Sequence, residues 1–344
     1  MNVDEMNETP VIWALIDERP GTGNQCSAVA KALELPFEEK QLIWSSLANL
    51  PNFLMGPSLR GLTAASKSEL ESPWPDVVIA SGRRGAAVAR YIKKQSLDDC
   101  CLVHIMYPGD TAISEFDLVA VPNHDGAVKN NGNIIRITGA PHGIDDIQLS
   151  RARMRWQAKF TGLKQPLFGL IVGGATKRRP FTSAMAEELG RQTGDLVAGS
   201  GGSLLITTSP RTGDALAGVL SGLSEKNVKP DYVYRWAAGG SVDDNPYLGF
   251  LAHADQLIVT GESSSMCSEV CASGKPVHIF APDGFLGDKH RRLVDELVAE
   301  GYAQVLGMEP EATPSPAAKK LDVAAQIAAE IQKRILPELE LDGA

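Results

Sequence analysis

Short apolar runs alternate with helical segments along the chain, and this alternation constrains the fold more than any other feature. Val11–Ile16 has the pattern of a buried strand, and a glycine-containing stretch and a helical pattern at Cys26–Leu33 follow it. The same order recurs at Asp76–Ala80, where Ser81-Gly82-Arg83-Arg84-Gly85 leads into another helix. Strands that alternate with helices form parallel β-α-β units. We therefore expect an α/β protein with parallel sheets.

The alternation stops and restarts in the middle of the chain. Asp145–Phe160 is an arginine-rich amphipathic segment, and Thr161–Pro166 has the composition of a linker. Leu167–Val172 is then a new buried strand that runs into glycines. The 344 residues suit two domains at ~150 residues each. We expect doubly wound domains at residues 10–160 and 165–310, with a terminal helix at 317–336 that packs back on the first domain.

Composition and charge limit the classes of binding partner and the cellular location that we expect for the protein. The formal net charge of -9 disfavours nucleic acid, because phosphate backbones attract basic surfaces. We see no leader sequence, and no apolar run approaches the ~20 residues that span a bilayer. The five cysteines are irregularly spaced, and Cys267 and Cys271 lack a second pair of ligands. Neither a disulfide framework nor a metal site is expected, and we place the protein in the cytoplasm.

One apolar stretch with few charges bears on membrane contact. An ordinary buried helix is the favoured interpretation, and peripheral contact with the inner membrane is the alternative. The residues concerned are Trp44, Leu47, Leu50, Phe53, Leu54, Met55 and Leu59.

Three stretches that follow predicted strands have the composition of phosphate-binding loops. In parallel sheets, ligands bind at the carboxyl ends of the strands, where glycines let the backbone approach and helix N-termini offer N–H groups. The loops are Gly21-Thr22-Gly23-Asn24-Gln25, Gly173-Gly174-Ala175-Thr176-Lys177 and Thr260–Glu269. The second loop lacks the spacing of a Walker A loop. The basic residues that begin at Lys177 nevertheless suit anionic oxygens.

Each loop also has a purely structural interpretation. Glycines serve any tight turn, and Lys177 fits a solvated basic turn. The hydroxyls of Ser263, Ser264 and Ser265 can cap the helix that they open, or they can bind a diphosphate. Glu269 lies one turn further on, where it fits either an exposed helical position or a ligand for a ribose diol.

Several motifs together resemble the mitochondrial fission "elongated mitochondria" family, across roughly residues 11–305. More distantly, Ser263–Pro276 is similar to the donor-nucleotide segment of the glycosyltransferase that adds N-acetylglucosamine to the peptidoglycan lipid precursor. The resemblance implies a glycosyltransferase-B type fold, with two Rossmann-like doubly wound domains facing each other across a cleft. The motifs are Gly21–Gln25, Ser81–Arg84, Phe116–Asp125, Gly202–Ser209, Asn245–Tyr247 and Thr260–Pro276.

The resemblance also implies roles for single residues. Gly173, Gly174, Ser264 and Ser265 would contact the diphosphate of a nucleotide-sugar, and Glu269 would bind its ribose. The complete set of candidate nucleotide ligands is Gly21, Thr22, Gly23, Asn24, Gln25, Gly173, Gly174, Lys177, Ser209, Arg211, Glu262, Ser263, Ser264, Ser265 and Glu269.

The sequence departs from the peptidoglycan enzyme at one position. That enzyme has a histidine just after its first glycine loop, which is thought to act as the base. Gln25 stands near the matching place and cannot take a proton at neutral pH. Asp17, His124 and Asp125, at predicted strand ends, are the candidate catalytic substitutes, although a turn-capping aspartate and a hydrogen-bonded histidine would look the same.

Three functions fit these features. The first is a nucleotide-sugar-dependent glycosyltransferase that needs no metal and no cofactor and acts on an unidentified acceptor, for which a lipid-linked compound is a candidate. The second is a nucleoside-diphosphate-sugar epimerase. The third is a non-catalytic recruitment or scaffold protein at a membrane surface, which the missing histidine favours and the donor-type loops disfavour.

Overall fold

The computed structural model describes residues 9–18, 20–49, 56–109, 113–128, 132–241, 244–308, 319–337 and 339. Part of the apolar stretch, namely Leu50, Phe53, Leu54 and Met55, lies outside the described residues. The chain divides into two compact units. Met1–Gly143 and Asp322–Ala344 form the first unit, and Ile144–Leu321 forms the second.

The first unit is built on a parallel sheet of six strands in the order β2-β1-β3-β4-β5-β6. The strands are β1 (Ile12–Asp17), β2 (Glu38–Leu42), β3 (Val77–Ser81), β4 (Cys101–Ile105), β5 (Leu118–Pro122) and β6 (Ile134–Ile137). The helices α1 (Pro20–Ala32), α2 (Ala64–Ser68) and α3 (Gly82–Gln95) accompany it. Every residue of β3 and β5 is buried, as expected for strands with both faces covered.

The second unit repeats this architecture with the strand order β12-β11-β10-β7-β8-β9, again all parallel. Its strands are β7 (Leu167–Val172), β8 (Ser203–Thr208), β9 (Tyr232–Tyr234), β10 (Gln256–Thr260), β11 (Val277–Phe280) and β12 (Gln304–Val305). Its helices are α4 (Asp146–Phe160), α5 (Ser183–Ser200), α6 (Ala215–Glu225), α7 (Tyr247–His253), α8 (Ser264–Cys271) and α9 (Asp288–Ala299). The expected class, α/β with two Rossmann-like doubly wound parallel sheets, is confirmed.

The boundary between the units differs from the expected one. Helix α4 was assigned to the first domain, but it belongs to the second unit, which begins at Ile144. The reason is aromatic packing, because Phe160 and Trp156 pack with Leu167 of β7 and Phe250 of α7. The Phe160 and Phe250 ring centroids are 5.8 Å apart.

The last helix, α10 (Val323–Arg334), returns to the first unit. It packs on α1, and the Gln332 side-chain amide donates a hydrogen bond to the Leu33 carbonyl at 3.4 Å. Its buried residues Val323, Ile327 and Ile331 recur every four positions, as expected for an amphipathic helix. None of the helices in the described part of the chain is long and apolar enough to cross a membrane.

Candidate functional site

The strand order of the second sheet reverses between β7 and β10. In doubly wound parallel sheets, ligands bind at such a switch point. The two strands are hydrogen-bonded neighbours, but β7 continues to β8 on one side whereas β10 continues to β11 on the other. Two of the predicted loops therefore lie side by side at one edge. Gly173-Gly174 follows β7, and Gly261–Ser263 follows β10.

Side chains of the chain itself accept the hydrogen bonds of the Gly173 and Gly174 N–H groups. The Gly173 N–H donates to the Thr260 hydroxyl at 2.8 Å, and the Gly174 N–H donates to Glu262 Oε1 at 2.8 Å. We expected these two N–H groups to face a diphosphate directly. The glycines are instead required for close approach, because a Cβ on Gly173 would lie 1.9 Å from Glu262 Oε1.

Glu262 is a buried carboxylate at the centre of this edge, with 1% of its surface exposed. Its Oε1 accepts hydrogen bonds from the Gly174 N–H and from Arg211 Nη2, the latter at 3.1 Å. Its Oε2 has no hydrogen-bond partner among the residues that the structure describes. Burial raises the pKa of the Glu262 carboxyl, while the Gly174 N–H, the Thr260 hydroxyl and the Arg211 charge act in the opposite direction.

Arg211 is a partly exposed cation at this edge, and a short turn after β8 fixes its backbone. The Arg211 N–H donates to the Ser209 hydroxyl at 3.2 Å. Thr212 ties the turn to β7, since its hydroxyl lies 2.8 Å from the Val172 carbonyl and 2.6 Å from the Gly173 carbonyl. The Arg211 side chain is 40% exposed, so part of its guanidinium remains available to a ligand.

Helix α8 presents its N-terminus to the same edge. Ser263 caps this helix, because its hydroxyl accepts a hydrogen bond from the Met266 N–H at 3.4 Å. Ser264 and Ser265 lie half-buried in the first turn. Ser263 therefore acts as a helix cap, as its structural interpretation predicts. Ser264 and Ser265 lie at the helix N-terminus, where an anion is favoured.

Glu269 lies one turn further along α8 and is half-buried. Its Oε2 accepts a hydrogen bond from the Tyr247 hydroxyl at 2.6 Å. Burial raises the pKa of the Glu269 carboxyl, and the Tyr247 hydrogen bond lowers it in part. Tyr247, on α7, was not predicted as a functional residue, and nothing in its local sequence marks it as a partner of Glu269.

Three other side chains lie near the carboxyl-end edge of this sheet. Lys177, a predicted phosphate ligand, is exposed in the loop after β7. Trp236 follows β9 with 41% of its surface exposed, and its backbone N–H donates to the Thr208 hydroxyl at the end of β8 at 2.8 Å. His290 lies half-buried in the first turn of α9. Sequence reasoning missed Trp236 and His290, because neither belongs to a glycine- or serine-rich motif.

The first glycine motif is not a loop, which corrects our expectation. Helix α1 begins at Pro20, so Gly21, Thr22, Gly23, Asn24 and Gln25 lie within its first turns. A Cβ on Gly23 would lie 2.5 Å from the Asp17 carbonyl, so this glycine lets the helix approach β1. Gln25 is buried and its Oε1 accepts a hydrogen bond from the Ser81 hydroxyl at 2.9 Å. Asn24 is exposed.

The candidate catalytic residues of the first unit lie at strand ends. Asp17 ends β1, is 6% exposed, and accepts a hydrogen bond from the Trp44 indole at 3.0 Å. His124 and Asp125 lie in the short turn after β5, where His124 is 1% exposed and Asp125 is half-buried. Asp17 thus has a structural partner, which accounts for its burial without catalysis. No group of three or more possible metal ligands occurs among the described residues.

Comparison with known proteins identifies the family. The sequence model of the family Mitochondrial fission ELM1 matches residues 20–335. The uncharacterised protein RP120 of Rickettsia prowazekii is 27% identical over 328 residues, which cover 86% of this chain and 90% of that protein. The mitochondrial fission protein ELM1 of Arabidopsis thaliana is 27% identical over 251 residues, which cover 67% of this chain and 57% of the plant protein.

A solved structure shares the fold. UDP-GlcNAc 2-epimerase from Methanocaldococcus jannaschii is similar with a TM-score of 0.50 and 13% identity, over 94% of this chain and 99% of that chain. At this identity the likeness concerns the fold alone, and the family rests on the sequence match. Since that match extends from residue 20 to residue 335, the chain belongs to the Mitochondrial fission ELM1 family.

Proposed function

We propose that the protein is a nucleotide-sugar-dependent glycosyltransferase of the glycosyltransferase-B type, and that its second unit holds the donor. The observation that carries this proposal is the exposed Arg211 beside the N-terminus of α8, with the buried Glu262 holding the guanidinium in place. A fixed cation next to N–H groups stabilises the charge of a departing diphosphate without a metal ion. The similarity of the fold to a UDP-GlcNAc 2-epimerase agrees with such a ligand.

We assign the diphosphate contacts from the residues at the carboxyl-end edge of the second sheet. Arg211, Ser264 and Ser265 contact the diphosphate, and the partly exposed Arg211 does so without leaving Glu262. Gly173 and Gly174 contribute indirectly, because their N–H groups position Thr260 and Glu262 rather than the ligand.

The nucleoside is joined to one end of the diphosphate, so its ribose and its base lie on the same side of the diphosphate contacts. We assign the ribose to Glu269, as the sequence resemblance implies, with Tyr247 orienting the carboxylate. Trp236 offers an exposed indole near the turn that carries Arg211, and a nucleobase stacks well on such a surface.

Binding of UDP-GlcNAc by isothermal titration calorimetry tests the donor site. Arg211→Ala should weaken binding by about 10- to 150-fold, which corresponds to the ~1.5–3 kcal/mol of a hydrogen bond to a charged group. Arg191→Ala is the matched control, because Arg191 is an arginine of the same unit whose ion pairs with Glu188 and Glu225 lie on α5 and α6. Equal affinity of both variants would remove Arg211 from the site.

Product analysis then separates the two enzyme classes. Incubation with UDP-GlcNAc and a lipid-linked sugar acceptor should release UDP and extend the acceptor. Formation of an epimerised nucleotide-sugar without acceptor would identify an epimerase instead. Binding with neither product would favour the scaffold function.

A further inference from the structure

His290 is the histidine of this chain whose ring is free for a ligand. The chain has six histidines. Within the described residues, the ring nitrogens of His290 make no hydrogen bond, and the side chain is half-buried rather than enclosed. The other five are buried or bonded to the chain itself: His104, His124, His142, His253 and His278.

The loop before His290 is packed against the donor edge. Leu286 contacts Gly261, the residue before Glu262, since a Cβ on Gly261 would lie 3.3 Å from Leu286 Cδ1. Phe285 packs against Phe181, which follows the basic loop after β7, with ring centroids 5.0 Å apart and planes tilted by 36°. These contacts place the beginning of α9 beside the loops that follow β7 and β10.

The charges around His290 agree with this placement. Burial lowers the pKa of His290, and the charges of Lys289 and Arg211 lower it further. Helix α9 packs on β12, which carries no charged side chain, and on α8, whose carboxylate Glu269 holds Tyr247. The pKa of His290 in the free protein therefore lies below the ordinary value of an imidazole, which favours the neutral ring at pH 7, and no ion pair of His290 occurs among the residues that the structure describes.

We propose that His290 and Arg211 form one anion-binding pair, and that His290 binds a diphosphate oxygen of the donor as a hydrogen-bond donor and takes up a proton when it does so. This assignment rests on the proposed function and adds a ligand that no glycine or serine motif contains. An imidazole beside a phosphate gains a proton because the anion favours the charged ring.

Proton uptake fixes the sign of the pH dependence. The bound anion raises the pKa of His290 above its value in the free protein, so affinity rises as pH falls through the bound-state pKa. The rise stops below the free-state pKa, which lies under the ordinary value of 6.5. Glu262 also titrates, and the decisive quantity is therefore the difference between the wild type and a His290 variant.

The test is calorimetric titration of the full chain with UDP-GlcNAc at pH 8, 7 and 6. This probe is a diphosphate diester and does not itself titrate in this range. We expect wild-type affinity to rise by about fivefold from pH 8 to pH 6, the difference between a neutral and a charge-assisted hydrogen bond. His290→Gln keeps a donor but cannot titrate, so it should lose this rise, and His290→Ala should bind more weakly at every pH.

His253→Gln is the matched control, because His253 is a half-buried histidine of the same unit that is bonded to the Arg153 carbonyl. It should keep the wild-type pH dependence. If His290→Gln also keeps it, the pair does not exist, although the donor site can stand. If the wild type binds neither UDP-GlcNAc nor inorganic pyrophosphate, this inference and the proposed function fail together.

Discussion

Replacement of Gly174 by alanine tests the edge of the second sheet most directly. A Cβ at this position would lie 2.0 Å from the Arg211 carbonyl and 2.8 Å from the Thr212 nitrogen, both of them backbone atoms. Ordinary contact begins at 3.4 Å, so the gap to the Arg211 carbonyl must open by 3.4 − 2.0 = 1.4 Å. No side-chain rotation can relieve such a clash, and the turn that carries Arg211 must move away from Gly174.

The cost has two parts. Overpacking of a fixed backbone contact costs about 1–3 kcal/mol. The opening also breaks the 2.8 Å hydrogen bond from the Gly174 N–H to the buried Glu262 carboxylate, and a hydrogen bond to a charged group contributes about 1.5–3 kcal/mol. We expect Gly174→Ala to lower the free energy of unfolding by about 2.5–6 kcal/mol.

Urea-induced unfolding, followed by circular dichroism, measures this loss as a shift in midpoint at constant slope. Gly199→Ala is the control, since Gly199 lies in α5 with nothing within 4 Å of its would-be Cβ. It should change stability little or raise it by up to about 1 kcal/mol. If Gly174→Ala and Gly199→Ala unfold at the same urea concentration, Gly174 does not pack closely against the backbone of Arg211 and Thr212.

Three further predictions follow from other contacts. Tyr247→Phe removes the donor to the half-buried Glu269 and should cost about 1–3 kcal/mol at pH 7. The loss should shrink as pH falls through the raised pKa of the Glu269 carboxyl, so an equal loss of unfolding free energy at pH 7 and pH 4.5 would contradict it. Gly23→Ala places a Cβ 2.5 Å from the Asp17 carbonyl and should destabilise the first unit by about 1–3 kcal/mol, which an unchanged thermal midpoint would disprove. Cys101 is half-buried whereas the other four thiols are buried, so mass spectrometry after brief alkylation should find it labelled first.

The sequence pattern predicted most of the strands, because central parallel strands are continuous apolar runs such as Leu167–Val172. It missed β2, where four polar residues precede the buried Leu42, and it missed β12, which has only two residues. It also assigned α4 to the wrong unit. Helical periodicity shows that one face of α4 is apolar but cannot show that Phe160 packs against Phe250.

The sequence indicated the loops of the candidate site but not the hydrogen bonds that join them. Glycines after β7 and hydroxyls after β10 pointed to the carboxyl-end edge of the sheet, because that inference needs only the order of strands and loops. Ligand binding at this edge stays a prediction. The bonds that fill the glycine loop come from Thr260 and Glu262, which are 87 and 88 residues away from their partners in the chain. Local composition cannot reveal pairs that are so far apart in the sequence. The sequence analysis therefore assigned the Gly173 and Gly174 N–H groups to a ligand.

The position of helix α10 affects the order in which the two units can fold during synthesis. The second unit is one uninterrupted segment, Ile144–Leu321, whereas the first unit needs residues from both ends of the chain. The contact of Gln332 with Leu33 joins positions 299 residues apart. During synthesis, which proceeds from the N-terminus, the second unit can fold as soon as it leaves the ribosome. The first unit, although most of it is synthesised earlier, is complete only when the final helix has packed on α1.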